Sequence, residues 1–263
     1  MPELPEVASF QHYFENTSLD KRISEVHFHR QKILKGTSPK SFAEKLEGRS
    51  FIETYRRGKY FFPRLDSGDY ILIHFGMTGD FLYYKNDEDP PPYERMYFEF
   101  SNGHRLGFDD LRLFGKIRHI PDLEKYLEKI NLGEDALMIS KESFLESWHR
   151  SSGNLKGFLL NQKHLSGIGN LYADEICYQC QIHPGSKMKK IPEKYGEAIY
   201  VCMKEVLSAA VEALPHYKEY PPDWFWQWRK KGELAPDGKT EVTSAKIAGR
   251  TSYFFPGWQV LYE

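Results

Sequence analysis

The sequence predicts an α+β protein of two domains, a β-sandwich-like N-terminal domain with flanking helices and a helical C-terminal domain that ends in a small β-hairpin. Three observations predict this. The chain has 263 residues, enough for two domains at roughly 100–200 residues each. Up to about residue 120, short apolar runs such as YFFPRL, YILIHF and YFEF are separated by Gly, Asn and Asp turn signals, the pattern of strands. Beyond it, apolar residues recur at helical spacing in DLEKYLEKI, KESFLESWHR and EAIYVCMKEVLSAAVEAL. The expected divisions are 1–125, 126–220 and 221–263.

In chain order, Val7–Phe14 reads as a helix ahead of the strands. Strands then fill the chain to about 120, and helices follow to Pro215. From there the sequence is rich in Pro, Trp and Lys, and two turn signals, APDGK and FPGW, flank short β-prone runs. A loop followed by a hairpin is expected. Hydrophobic residues are 40% and charged residues 28% of the chain, the composition of a globular protein rather than a disordered one. No apolar run is long enough for a membrane span, and the start, MPELPEV, is no signal peptide. An intracellular location, cytoplasmic or nucleoid-associated, is expected. Cys177, Cys180 and Cys202 make an odd count that excludes a disulfide scaffold. Cys177 and Cys180 are read as helix thiols, not as half of a metal site.

A formal net charge of −1 alone argues against a polyanion partner, but the cations are grouped: Arg56, Arg57 and Lys59; Lys116 and Arg118; Lys187, Lys189 and Lys190; Arg229, Lys230 and Lys231. Each group reads as a solvated surface or as a phosphate contact.

The N-terminus carries the most chemistry. Once Met1 is removed, Pro2 presents a secondary amine. An α-amino group titrates near about 7.7–8.0 against about 10.4 for Lys, so much more of it is nucleophilic at neutral pH. Glu3 and Glu6 beside it are carboxylates able to move protons. They are equally the acids that a helix start favours.

The string PELPEV closely resembles the opening of the formamidopyrimidine-DNA glycosylase and endonuclease VIII family, and Leu4 leans toward the former branch. The resemblance continues in order through RRGKY (56–60), HFGMTG (74–79), FDDLRLFG (108–115), GIGNLYADE (167–175) with IHP (182–184), and GRTSYFFPGWQ (249–259). It implies a bifunctional base-excision enzyme acting as a monomer on damaged double-stranded DNA. Such an enzyme excises oxidised bases and cleaves the strand by β and δ elimination, without a cofactor. Carried over, it makes Pro2 the nucleophile at the sugar C1′, Glu3 the acid assisting ring opening, Glu6 a supporting carboxylate and Lys59 a lysine near the reacting sugar. It makes Met77, Arg112 and Phe114 the side chains that fill the gap left by a flipped nucleotide. Met adapts, Phe wedges and an Arg fork bonds the orphaned base.

The segment around GIGNLYADE resembles the family's helix-two-turns-helix motif, with Asn170 opening its second helix toward a phosphate. Lys156 matches a family lysine that reaches DNA near the lesion, and Arg250 one that holds the phosphates flanking the flipped nucleotide. The departure is in the finger. Most bacterial members hold zinc there with two Cys-x-x-Cys pairs, whereas the four positions here are Ala235, Gly238, Phe255 and Trp258. No metal is therefore expected, and Phe254, Phe255 and Trp258 are expected to pack a zincless finger. PHYKEYPPDWFW shows no match to the segment that covers a flipped 8-oxoguanine, so oxidised purines, oxidised pyrimidines and hydantoins all remain candidate substrates.

Overall fold

The computed structural model describes residues 1–213 and 220–263. The chain folds as two compact units, Met1–Asn131 and Leu132–Glu263.

In the first unit, α1 (Leu4–Ser18) begins three residues before the expected helix. The cause is a capping box: Glu6 accepts the Glu3 N–H at 2.8 Å while the Glu3 side chain takes the Glu6 N–H, satisfying two donors that a helix start leaves open. Then come β1 (Ile23–Phe28), α2 (Pro39–Leu46), β2 (Phe51–Arg57), β3 (Tyr60–Leu65), β4 (Tyr70–His74), β5 (Gly79–Lys85), β6 (Glu94–Phe100), β7 (His104–Asp110) and β8 (Lys116–Ile120). They form two antiparallel four-stranded sheets, ordered β1-β6-β7-β5 and β2-β3-β4-β8. Strand β5 nearly alternates buried and exposed residues, as a strand with one inner face does, whereas β3, β4, β6 and β7 each carry a run of three buried residues. Phe51 and Phe61 from one sheet and Phe81, Phe98 and Phe108 from the other fill the core. Phe14 of α1 enters it, edge-on to Phe51 at 5.1 Å and to Phe61 at 5.2 Å.

The first unit ends later than the expected residue 125. Helix α3 (Leu123–Ile130), capped by Asp122 through the Lys125 N–H, packs Leu123, Tyr126 and Leu127 against Phe62, Leu72 and Ile120. Asn131 ends it in the left-handed conformation. A helical period therefore starts inside the strand-rich unit, because this helix covers that unit's second sheet.

In the second unit, β9 (Glu134–Asp135) precedes α4 (Lys141–Arg150) and α5 (Leu155–Leu160), and β10 (Leu165–Ser166) pairs with β9. Then follow α6 (Asn170–Gln179), α7 (Tyr195–Glu212), β11 (Thr243–Ile247) and β12 (Arg250–Phe254). Ser140 caps α4 and Asn154 caps α5 through their side-chain oxygens. The hairpin β11–β12 closes at Ala248 and Gly249, both at positive φ, the geometry that matches strand twist in a two-residue turn. No helix among the described residues is long and apolar enough to cross a membrane.

Aromatic packing holds the finger. Phe225, Val242 and Phe255 form a small core with Tyr178, Trp228 and Tyr253 around it, and Phe254 meets His183 edge-on at 4.2 Å. Trp258 stacks on Tyr178 at 6.2 Å but stays 50% exposed. Phe255→Ala is therefore expected to destabilise this unit by about 3–5 kcal/mol, and Trp258→Ala by about half that. All five tryptophans lie in the second unit, so urea unfolding followed by tryptophan fluorescence reads both variants. Equal losses would refute this division of labour.

Candidate functional site

Pro2 is half-buried immediately ahead of the α1 capping box, and Glu3 is buried. Glu6 is committed to the Glu3 backbone N–H. Leu4, the residue that leans toward one branch of the family, is buried at the helix start.

Lys59 lies on the tight turn joining β2 to β3, where Gly58 takes a positive φ and lets the lysine follow at once. Its ammonium and that of Lys116 both act on His74, which pairs with Lys116 across β4 and β8. Burial first, then Lys116 and Lys59, lower the His74 pKa to about 4. His74 is therefore neutral at pH 7. Its Nδ1 accepts the Gly76 N–H at 3.1 Å, which places the ring proton on Nε2.

Met77 and Phe114 are 38% and 46% exposed. Neither is a core side chain at that exposure. Met77 sits on the turn between β4 and β5, closed by Gly79 N–H to Phe75 O at 2.8 Å. Arg112 and Phe114 sit on the loop between β7 and β8, where the Arg112 guanidinium lies 5.0 Å over the Phe114 ring.

Buried Asp110 binds the two loops together. It accepts the Thr78 hydroxyl at 2.5 Å and the Arg112 N–H at 3.2 Å on Oδ1, and the Gly115 N–H at 2.8 Å on Oδ2. A Cβ on Gly76 would lie 2.5 Å from the Phe114 carbonyl carbon, so the loops touch through backbone. The structure thus brings Met77, Arg112 and Phe114 together on one rim. Neither Asp110 nor His74 stood out in the sequence, although each lies within or beside a motif that did.

In the second unit, Asn170 is the first residue of α6 and donates from Nδ2 to the Thr251 carbonyl at 3.1 Å. That carbonyl follows Arg250, which is exposed at the start of β12. These two expected DNA contacts are therefore neighbours. Lys156 is a correction. The resemblance has it reaching DNA, but the side chain is 0% exposed and its ammonium is bonded to Asp174 at 2.5 Å. A fully buried ammonium needs an anionic partner, and this one has it inside the protein.

Two further acids were missed. Asp174 and Glu175 are both buried in α6. Glu175 accepts the Phe225 and Trp226 N–H groups at 3.0 Å each, and burial raises its pKa to about 7. Cys177 is a buried thiol whose pKa burial pushes up; Cys180 and Cys202 are half-buried.

Of the positions that hold zinc in most bacterial relatives, Phe255 is buried, Trp258 and Gly238 are exposed and Ala235 is half-buried. None has a side chain that coordinates a cation, so the finger does not fit a zinc ion. Pro215 to Glu219, part of the segment compared with the 8-oxoguanine cover, lie outside the described residues.

The formamidopyrimidine-DNA glycosylase N-terminal domain matches residues 1–117, and the H2TH domain of the same proteins matches residues 132–216. A formamidopyrimidine-DNA glycosylase of Arabidopsis thaliana is 32% identical over all of this chain and 72% of its own length. One from Mycoplasma pneumoniae is 29% identical over 99% of both. Among solved structures, the Lactococcus lactis enzyme bound non-covalently to DNA containing an AP site superposes with a TM-score of 0.88 at 23% identity, over 98% of this chain and 99% of that one. The same enzyme with DNA containing N7-benzyl-Fapy-dG gives 0.87 at 22%. These structural likenesses establish the fold, and the two domain matches with the Arabidopsis thaliana relative make the chain a member of the formamidopyrimidine-DNA glycosylase family.

Proposed function

We propose that this protein is a DNA base-excision enzyme, a glycosylase and abasic-site lyase that removes oxidised bases through its N-terminal proline. The observation that carries the reading is the N-terminus itself, with Pro2 directly ahead of a buried Glu3 at the head of α1. Freed from Met1, the Pro2 amine attacks C1′ of the damaged nucleotide as the bond to the base breaks. Glu3 protonates the opening sugar ring. The resulting Schiff base makes the neighbouring sugar protons acidic, and β and δ elimination then cut the strand. Lys59 stays beside the sugar and its phosphate.

An enzyme that works on a base must extrude it and hold the gap open. Met77, Arg112 and Phe114 serve that task from their shared rim, while Asn170 and Arg250 hold phosphates from the second unit. The aromatic finger works without zinc. The favoured substrates are formamidopyrimidine and 8-oxoguanine lesions, in keeping with Leu4 and with the family name. Its place of work is the DNA inside the cell.

The test is a panel of duplexes, each with one formamidopyrimidine, 8-oxoguanine, oxidised pyrimidine, hydantoin or abasic site. Excision followed by strand cleavage is expected, with the oxidised purines fastest. Tight binding with no cleavage of any duplex would instead identify a damage-binding protein without chemistry. Faster removal of pyrimidines or hydantoins would overturn the substrate preference alone.

Phe114→Ala is expected to slow excision from duplex DNA by about 1–3 kcal/mol, the range for one base–aromatic stack. Cleavage of a preformed abasic site, where no base needs extruding, falls less. Because Phe114 is exposed, the unfolding midpoint stays in place. A lowered midpoint with unchanged excision would show that Phe114 serves packing and not the extruded base.

A further inference from the structure

Behind Arg250 lies a buried ion cluster that the reaction above does not use. Asp174 of α6 accepts Lys156 Nζ of α5 on Oδ1 at 2.5 Å. On Oδ2 it accepts Arg229 through Nη2 at 2.8 Å and Nε at 3.0 Å. The Tyr253 N–H of β12 points to the same Oδ2 at 3.4 Å, and Lys156 Nζ also reaches the Thr251 carbonyl at 3.4 Å. Arg229 closes the cluster, donating to the Asn170 carbonyl at 3.3 Å and lying 5.0 Å over the Tyr253 ring. One carboxylate therefore ties together α5, α6, the stretch before the hairpin and β12. Of the two β12 backbone groups at the cluster, the Tyr253 N–H meets Asp174 itself, and the Thr251 carbonyl meets Lys156 and the Asn170 amide; they belong to the residues three places and one place after Arg250.

Burying these ions is costly. The side chains of Asp174 and Lys156 are fully buried and that of Arg229 is 17% exposed. Burial pushes the Lys156 pKa down and the Asp174 pKa up, and the opposite charges work against both shifts. A well-packed apolar cluster of the same volume often stabilises a fold as well or better. What an ion cluster adds is direction, since each hydrogen bond fixes an angle as well as a distance. The finger also lacks the coordination bonds that orient it in its zinc-holding relatives.

We propose that Asp174 is a positioning residue for DNA binding: it clasps β12 to α6 so that Arg250 is held ready for the backbone phosphate. This rests on the reading of Arg250 as a phosphate contact. Arg250 needs no large rearrangement on binding as long as Thr251 and Tyr253 are anchored on either side of Ser252. When the clasp opens, the guanidinium is still present but no longer preorganised, and part of the binding energy is spent on ordering the hairpin.

The test is a double-mutant cycle in the full-length chain with Asp174→Asn, Arg250→Ala and both together. Affinity is measured at several salt concentrations on a duplex carrying a tetrahydrofuran abasic analogue, and amide hydrogen exchange is followed at Thr251 and Tyr253. Asp174→Asn is expected to weaken binding about tenfold and to lower the salt slope by about one phosphate, as Arg250→Ala does. The double variant should bind no worse than Arg250→Ala. The Tyr253 amide should exchange faster while amides inside α6 keep their protection.

Losses that multiply in the double variant would overturn the proposal, because they would mean that Asp174 acts independently of Arg250. Unchanged exchange at Tyr253 would overturn the clasp itself. Normal affinity of Arg250→Ala with faster Tyr253 exchange would instead remove the phosphate reading of Arg250 and leave the clasp standing. Should Asp174→Asn not fold, Arg229→Gln at the rim of the cluster replaces it with the same expected outcomes, and Arg229→Lys should recover part of the affinity.

Discussion

Protein freed of Met1 is expected to become covalently attached to abasic duplex DNA when borohydride is added, and protein that retains Met1 is expected to give no adduct. The reason is electronic. Behind Met1, the Pro2 nitrogen is a tertiary amide whose lone pair is delocalised and which carries no proton. Without Met1 it is a secondary amine of moderate basicity that condenses with the C1′ aldehyde to an iminium, which borohydride reduces irreversibly. Met1 is 53% exposed, so its removal requires no unfolding of the helix behind it. A Pro2→Gly variant with a blocked terminus should behave like the Met1 form, losing the adduct while still binding DNA. Lysines remain in every one of these proteins, Lys59 among them. Equal trapping with Met1 in place would therefore assign the covalent step to a lysine and refute Pro2 as nucleophile.

Glu3→Gln is expected to slow base excision by about 10²–10⁴-fold, the usual contribution of a positioned acid, while binding to an abasic analogue changes little. The structure makes this substitution a clean probe. The Glu3 side chain also accepts the Glu6 N–H in the capping box, and the amide of Gln keeps an acceptor oxygen of the same reach. The fold therefore keeps its cap while the site loses its proton donor. Glu6→Ala should show the opposite balance, because Glu6 caps the Glu3 N–H. It should cost about 1 kcal/mol of stability, as the loss of a helix cap does. Excision at the normal rate by Glu3→Gln in single-turnover assays would show that Glu3 is only a cap.

Both readings of the two early glutamates were open in the sequence, and the structure supports the capping one without displacing the chemical one. The sequence also carried the two-domain plan, the strand-rich first half and the family. Those features are written in local pattern, since alternation, helical spacing, turn residues and ordered motifs all operate over a few residues.

Only the tertiary structure decided what the local pattern left open. The resemblance gave Lys156 to DNA, and its ion partner, Asp174, lies on the next helix and is reached only when α5 packs on α6. Asp110, unremarked in the sequence, closes β7 and takes its role only because the loops carrying Met77 and Phe114 fold against it. Phe255 and Trp258, equivalent as aromatic stand-ins for zinc ligands, separated into a buried side chain and a half-exposed one. Burial and ion pairing depend on which segments the chain brings side by side, and for a charged group inside the protein the desolvation penalty makes that partner decisive. The sequence by itself therefore determined the family and the order of its motifs, and the fold decided which of the candidate residues face outward and which are buried against partners.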